Sequence, residues 1–359
     1  MFVFLFIMAL ISVGRGLQNA LNSSGDFQWS GSHLLTEGVD PYQSWLNHDP
    51  QHPFLYNQVP NYLPQLYFLL APIGSMSFEH ARAVWAGLNI AFAAAALYFL
   101  GRTYSLEGGS LFLLVTLFAC GTPFRNALGM GQHSIFELAL LAFILFKPAM
   151  AALPLGLSYF KYSFSPIIFF YAAARRAWKA LAFSLLVPIA GALIFWMAVG
   201  GRFLHTLFEP LLVARSGVST GIADMVSYVR LVKPEWTSIA AAVGLLLSAV
   251  LAFWIARQIR HLRSAAPAIA TVDLILMPHL GYDFVLLAIP VAYLLSLNSR
   301  SASWWVAAAC IVFFWYGLKL VPRTSHPAAE IAVSMAVAVV LFVSLLRLGA
   351  SSQNDAVSA

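Results

Sequence analysis

Long apolar runs alternate with short polar stretches from one end of the chain to the other. The runs at 2–21, 80–100, 178–200, 236–256, 302–320 and 328–348 are each long enough to cross a ~30 Å hydrocarbon core as one helix. Shorter runs fall near 109–123, 133–147, 149–160, 164–174, 265–280 and 283–298. The run at 62–75, bounded by Pro60, Pro64 and Gly74, suits an interfacial or re-entrant helix better than a crossing. The first run lacks a basic leader and an Ala-x-Ala-like cleavage site, so it reads as an uncleaved span. Lys233-Pro234-Glu235 places proline and an acid where the 236–256 helix should start.

Composition makes the class plain. Of 359 residues, 60% are hydrophobic and 9% are charged, with a mean hydropathy of +0.79. A soluble domain carries roughly 25% charged residues. The expected fold is an all-α integral membrane protein, a polytopic bundle of about 11–13 transmembrane or half-membrane helices. Residues 1–350 form one membrane domain, with a first outer loop at 22–79, a second at 201–235, and a short polar tail at 351–359. The net charge of +6 is dispersed between apolar segments, so the lipid bilayer is the expected partner and nucleic acid is not. Cys120 and Cys310 sit inside apolar runs and read as packed core residues.

Charge also sets orientation. Arg175, Arg176 and Lys179 form one basic cluster, and Arg257, Arg260 and Arg263 another. Placing both in the cytoplasm with Arg102, Lys147, Arg300 and Arg347 gives one alternating path with both termini inside. Arg125, Lys161, Arg202, Arg215, Arg230, Lys233, Lys319 and Arg323 then fall outside or near the outer interface. An anionic ligand on that side would need such partners.

The stretch "ALPLGLSYFKYSFSPIIFFYAAARR" cannot be one straight crossing if Lys147 and Arg175 share a side. It reads as two half-length helices meeting at Tyr159-Phe160-Lys161-Tyr162, with Pro166 helping to break the ladder. Irregular backbone at membrane depth must be buried in protein or reached by water, and a lysine there is a functional candidate. The competing reading is that Lys161 snorkels to the outer headgroups. Other polar residues gather on the same side: Arg125, Asn126, Gln132 and His133; His279, Tyr282 and Asp283; Tyr56, Asn57, Gln58, Asn61 and Tyr62. Each has a plain alternative as a belt tyrosine, a helix cap or a first-turn acid. Together they give one face the carboxylates, imidazoles, amides and aromatics that a carbohydrate-and-phosphate site uses.

The order of these pieces resembles the GT-C glycosyltransferases that use polyprenyl-phosphate sugars, specifically glycosyltransferase family 87. The resemblance rests on "GDFQWSGSHLLTEGVDPY", "FLYNQVPNYLPQLYFLLAPIG", "ARAVWAGLNIAF", "NALGMGQHSIFELALLAFIL", "LPLGLSYFKYSFSPIIFF" and "HLGYDFVLLAIP", specific as a series. It implies transfer of a hexose, mannose foremost, from a polyprenyl-phosphate-linked donor to a glycolipid or glycan acceptor at the outer face of the plasma membrane. It implies inversion, with an acid of the first outer loop as general base, which by order is Asp26. Asp40 belongs to a "DPY" turn and reads as structural, and Glu37 as solvated. The leaving phosphate calls for cations, here Lys161, then His279 and Arg125. Tyr56, Asn57, Gln132, Tyr282 and Asp283 are the candidate sugar- and acceptor-binding residues. No H-x-H, E-x-x-H or paired-acid spacing points to a metal, and no cofactor is expected. A transporter or lipid flippase is the rival class, since broken helices and intramembrane polar residues suit a carrier. Against it, the chain has no inverted repeat.

Overall fold

A computed structural model describes residues 2–56, 58–201, 203–216, 221–298, 300–318 and 326–358. Among the described residues there is no strand, and the protein is an all-α polytopic membrane protein. A long first helix, α1 (Phe2–Asn22), leads into a loop with three short helices, α2 (Trp29–Thr36), α3 (Pro41–Leu46) and α4 (Pro64–Gly74). Then follow α5 (Phe78–Thr103), α6 (Gly108–Cys120), α7 (Thr122–Met130), α8 (Ser134–Phe146), α9 (Ala152–Ser158) and α10 (Ser165–Ala174). The second half holds α11 (Trp178–Val199), α12 (Phe203–Ser216), α13 (Met225–Val232), α14 (Thr237–Gln258) and α15 (Leu262–Leu276). A 3-10 turn, Asp283–Leu287, enters α16 (Ala288–Ser296), followed by α17 (Ala302–Val312) and α18 (Pro327–Ser358).

Among the described residues, five helices are long and apolar enough to cross a membrane: α1, α5, α11, α14 with its preceding turn, and α18. These are five of the six full crossings read from the sequence. The sixth, 302–320, is an apolar helix from Ala302 that widens into a π turn over Phe313–Gly317, and residues 319 and 320 lie outside the described residues. Over the polar tail at 351–359 the backbone of α18 stays helical to Ser358. Lys233-Pro234-Glu235 does punctuate a helix start, through a 3-10 turn at Pro234–Trp236. Both cysteines are free.

Between the long helices the chain is repeatedly broken. The α6–α7 pair bends by 56°. At the bend, Gly121 lies where a Cβ would come within 3.0 Å of the Phe118 carbonyl, and Pro123 occupies the first turn of α7. The first loop packs tightly onto the bundle. The Ser32 hydroxyl donates to the Tyr67 carbonyl at 3.0 Å, and the Tyr42 hydroxyl to the Tyr62 carbonyl at 2.7 Å. A Cβ on Gly191 would meet that of Gln65 at 2.7 Å, so α4 lies directly against α11.

The bundle has two chemically distinct ends. At one, the Tyr104 hydroxyl donates to the Arg263 carbonyl at 2.8 Å, and the Arg175 guanidinium to the Ala256 carbonyl at 3.4 Å. Gly349 lies against Ser264 at the same end, so the basic clusters of the sequence converge there. The other end of α14 is one 22-residue helix away, ~33 Å, and there Thr237 and Ser238 line a polar cavity.

Candidate active site

The site is built where helices stop short. Residues 159–164 turn between α9 and α10, with the Lys161 N–H donating to the Ser158 carbonyl at 3.2 Å and the Phe164 N–H to the Lys161 carbonyl at 2.9 Å. Pro166 in the first turn of α10 has no N–H to offer to a continuing helix. The Leu63 N–H donates to the Phe160 carbonyl at 3.1 Å, tying this break to the loop between α1 and α5. Lys161 is 8% exposed, and its ammonium donates to the Asp283 carboxylate and, at 2.9 Å, to the Ser134 hydroxyl. Ser134 also donates to Asp283. The ammonium stands 4.7 Å from the Phe164 ring centre and 5.5 Å from that of Tyr282, so aromatic faces cover its other sides.

A second break, between α15 and the Asp283–Leu287 turn, supplies the other half. Asp283 accepts from the Leu280 N–H at 3.0 Å, which fixes its carboxylate. His279 stacks on Phe164 at 4.4 Å, with Nδ1 3.4 Å from Asp283 and Nε2 3.6 Å from Asp273. The Ile222 N–H donates to the His279 carbonyl at 3.0 Å, which docks the start of α13 onto this turn. Gly221 is required there: a Cβ would fall 1.8 Å from the Asp224 carboxylate and 2.8 Å from the His279 carbonyl. The starts of α8, α10 and the Asp283 turn all face this cluster, so the positive ends of their peptide dipoles add to its field.

Asp26 approaches from the first loop. Its N–H donates to the Met130 carbonyl at 2.9 Å, at the end of α7. Gly131 (φ +71°) turns the chain there so that Gln132, 1% exposed, stands beside the Asp26 carboxyl. Burial pushes the Asp26 carboxyl above the usual aspartate range. The Gln132 amide and then the charge of Lys161 oppose that shift, and Asp283 adds to it. Asp26 also acts electrostatically on Tyr62 and Tyr282, so its carboxyl lies close to the groups of this cluster. The other acids of the loop differ. Asp40 caps α3, accepting from the Tyr42 N–H at 2.9 Å and the Gln43 N–H at 3.1 Å. Glu37 is exposed and lies 3.5 Å from His33.

A cavity of about 410 Å³ opens over the cluster, reaching Tyr62, Lys161, His279, Tyr282 and Asp283 on one side and Arg215 and Arg230 on the other. Tyr162 lines it and also lines an apolar groove of about 330 Å³ between α10, α11 and α14, walled by Phe169, Phe170, Leu185, Pro188 and Leu245.

Several residues read from the sequence therefore come together: Asp26, Gln132, Lys161, His279, Tyr282 and Asp283. Arg125 is half-buried on α7, lines neither the cavity nor the groove, and forms no ion pair among the described residues. Tyr56 is 58% exposed, but its Cβ would touch one added to Gly25 at 3.8 Å, so it flanks Asp26 from outside. Asn57, Arg202, Lys319 and Arg323 lie outside the described residues. The sequence reading missed Ser134 and Asp273, which complete the cluster, and Glu137, fully buried one turn into α8 with both carboxyl oxygens unpartnered. Serine-134 follows the singled-out Gln132-His133 pair directly, and that proximity was the available signal.

A family model for glycosyltransferase family 87 matches residues 61–278, more than half of the chain, taking in Lys161, Arg215 and Arg230 and stopping one residue before His279. Asp26 precedes the matched region. No curated protein and no solved structure matches the chain. The broken-helix architecture and the family match agree, and the chain belongs to glycosyltransferase family 87.

Proposed function

We propose that this glycosyltransferase moves a hexose, with mannose the first candidate, from a polyprenyl-phosphate donor to a hydroxyl of a glycolipid or glycan acceptor. The reaction takes place at the outer face of the plasma membrane and inverts the anomeric centre. The observation that carries the lipid-linked donor is the junction at Tyr162, the side chain that a cation-bearing cavity shares with an apolar groove whose rim residues Leu185 and Leu245 are exposed. An isoprenoid chain gains from burying apolar surface in that groove, roughly 25 cal/mol per Å². A nucleotide sugar has no group that would.

In this reading the acceptor hydroxyl enters past Tyr56 and meets the Asp26 carboxylate. Its oxygen attacks the anomeric carbon while its proton passes to Asp26. The bond from that carbon to the phosphate oxygen breaks, and its electron pair leaves with the lipid phosphate. A carboxyl whose proton affinity is raised by burial is a better base than a solvated aspartate, and Gln132 holds it in place. Beneath the reacting centre Lys161 and His279 hold the carboxylates of Asp273 and Asp283 in place, and the helix starts around them favour negative charge there. Tyr282 and Asp283 line the same cavity, where sugar hydroxyls would find partners.

The test is a transfer assay with purified protein, a panel of polyprenyl-phosphate hexoses and total envelope lipids as acceptor. One donor should give a product of opposite anomeric configuration, read by NMR. Retention of configuration, or transfer from a nucleotide sugar alone, would overturn the reading.

A further inference from the structure

We propose that Arg215 and Arg230, and not Lys161, hold the phosphate of the donor, in the cavity beside the first turn of α14. The inference rests on the lipid-linked donor proposed above and identifies the residues that position it.

Lys161 is already committed. Its ammonium is shared between Asp283 and Ser134, and His279 sits between the carboxylates of Asp273 and Asp283. Drawing Lys161 away to a phosphate would strand a buried carboxylate without its partner, which is the costly way to break a buried pair. The cluster holds its charges for each other.

Arg215, in the last turn of α12, and Arg230, in the last turn of α13, line the same cavity from a different side. Arg230 acts electrostatically on Tyr162, the residue where the polar cavity and the apolar groove meet. A polyprenyl-phosphate sugar has its phosphate between its tail and its sugar. With the tail in the groove and the sugar over Asp26 and Tyr282, the phosphate falls at Tyr162, beside Arg230.

Two further features suit an anion there. Ser238, in the first turn of α14, lines the cavity, and its hydroxyl can donate to a phosphate oxygen. Arg230 is also held in register with the reacting centre. The Ile222–His279 backbone bond and the Asp224 cap, accepting from the Ser227 N–H at 2.7 Å, fix α13 to the His279 turn. Arginine's planar fork fits phosphate with paired charge-assisted hydrogen bonds, which a lysine cannot supply. Lys161 is then a positioning residue that holds Asp283 and Ser134.

The test uses the full-length purified protein and a sugar-free, short-chain polyprenyl phosphate as probe, with the uncharged polyprenol as control. Wild type should bind the phosphate much more tightly than the alcohol. The Arg215→Gln/Arg230→Gln variant should raise the Kd for the phosphate at least about thirtyfold and leave that for the alcohol unchanged. Arg230→Lys should recover part of the loss. Lys161→Met/Asp283→Asn, which removes both halves of the buried pair, should keep the Kd for the phosphate within about threefold of wild type. Normal binding by the double arginine variant, or lost binding in the Lys161/Asp283 variant, would overturn the assignment and return the phosphate to Lys161. Equal binding of phosphate and alcohol by wild type would instead sink the lipid-phosphate reading itself, and this inference with it.

Discussion

Leu246, midway along α14, is 64% exposed, whereas Lys161, between α9 and α10, is 8% exposed. In a soluble protein those two figures would be reversed. The contrast separates the molecule into an outer wall of long helices and an interior of broken ones. Along the wall, side chains such as Val3 and Met197 face outward, where lipid takes the place of water. In the interior, α8, α9, α10 and the Asp283 turn stop partway, and each stop leaves backbone groups and polar side chains to be matched. The wall tolerates almost any apolar residue. The interior depends on particular partners, so substitutions should be costly there and cheap on the wall.

The largest loss of stability is expected at the buried pair. Lys161→Met leaves Asp283 without its ammonium partner and should cost about 3–5 kcal/mol. Adding Asp283→Asn should restore most of it. Chemical unfolding in detergent measures both, and equal stability of Lys161→Met and wild type would show that the pair is not structural.

Gly221→Ala comes next. Its Cβ would fall 1.8 Å from the Asp224 carboxylate, so the cap of α13 must shift. A loss of about 1–3 kcal/mol is expected, with transfer reduced because α13 no longer docks on the His279 turn. Wild-type stability and turnover in this variant would mean that the docking contact is slack.

Asp40 gives a smaller effect that depends on pH. Burial, then the neighbouring charge of Glu209, pushes its carboxyl up to about 6 from 3.8. A carboxyl raised on folding contributes stability that is full below its unfolded value and lost as pH rises through its folded one. The Tm difference between wild type and Asp40→Asn should therefore move in favour of wild type as pH falls from 7 towards 4. A constant difference across that window would contradict it.

The smallest effect belongs to the wall. Leu246→Ala should change stability by no more than about 0.5 kcal/mol, and a loss comparable to that of Lys161→Met would erase the distinction between the two regions.

The same distinction explains what could be read from the chain. The wall is written as uninterrupted apolar runs, so five of six crossings were legible. The sixth was legible as an apolar helix, but its π turn at Phe313–Gly317 leaves no mark in hydropathy. The break at Lys161 was legible because a lysine and a proline interrupt an apolar run. Asp273 was not, because a lone acid within α15 has no local signal and its partner, His279, lies beyond the end of that helix. Arg125 lies near Gln132 in sequence, but its side chain lines neither the cavity nor the groove. Arg215 and Arg230 were visible as surplus outer charge, yet only the packing of α12 and α13 brings them to one cavity.

The central claim is that the interior works through one carboxylate, Asp26. The most direct measurement is single-turnover sugar transfer from a polyprenyl-phosphate hexose by purified wild type and by Asp26→Asn, Asp40→Asn and Glu37→Gln, with donor binding followed separately. Asparagine keeps the shape of Asp26 but cannot take the acceptor proton. Asp26→Asn should bind donor as wild type does and transfer it at least about a hundredfold more slowly, while the other two variants keep most of the rate. Transfer by Asp26→Asn at the wild-type rate would contradict the account.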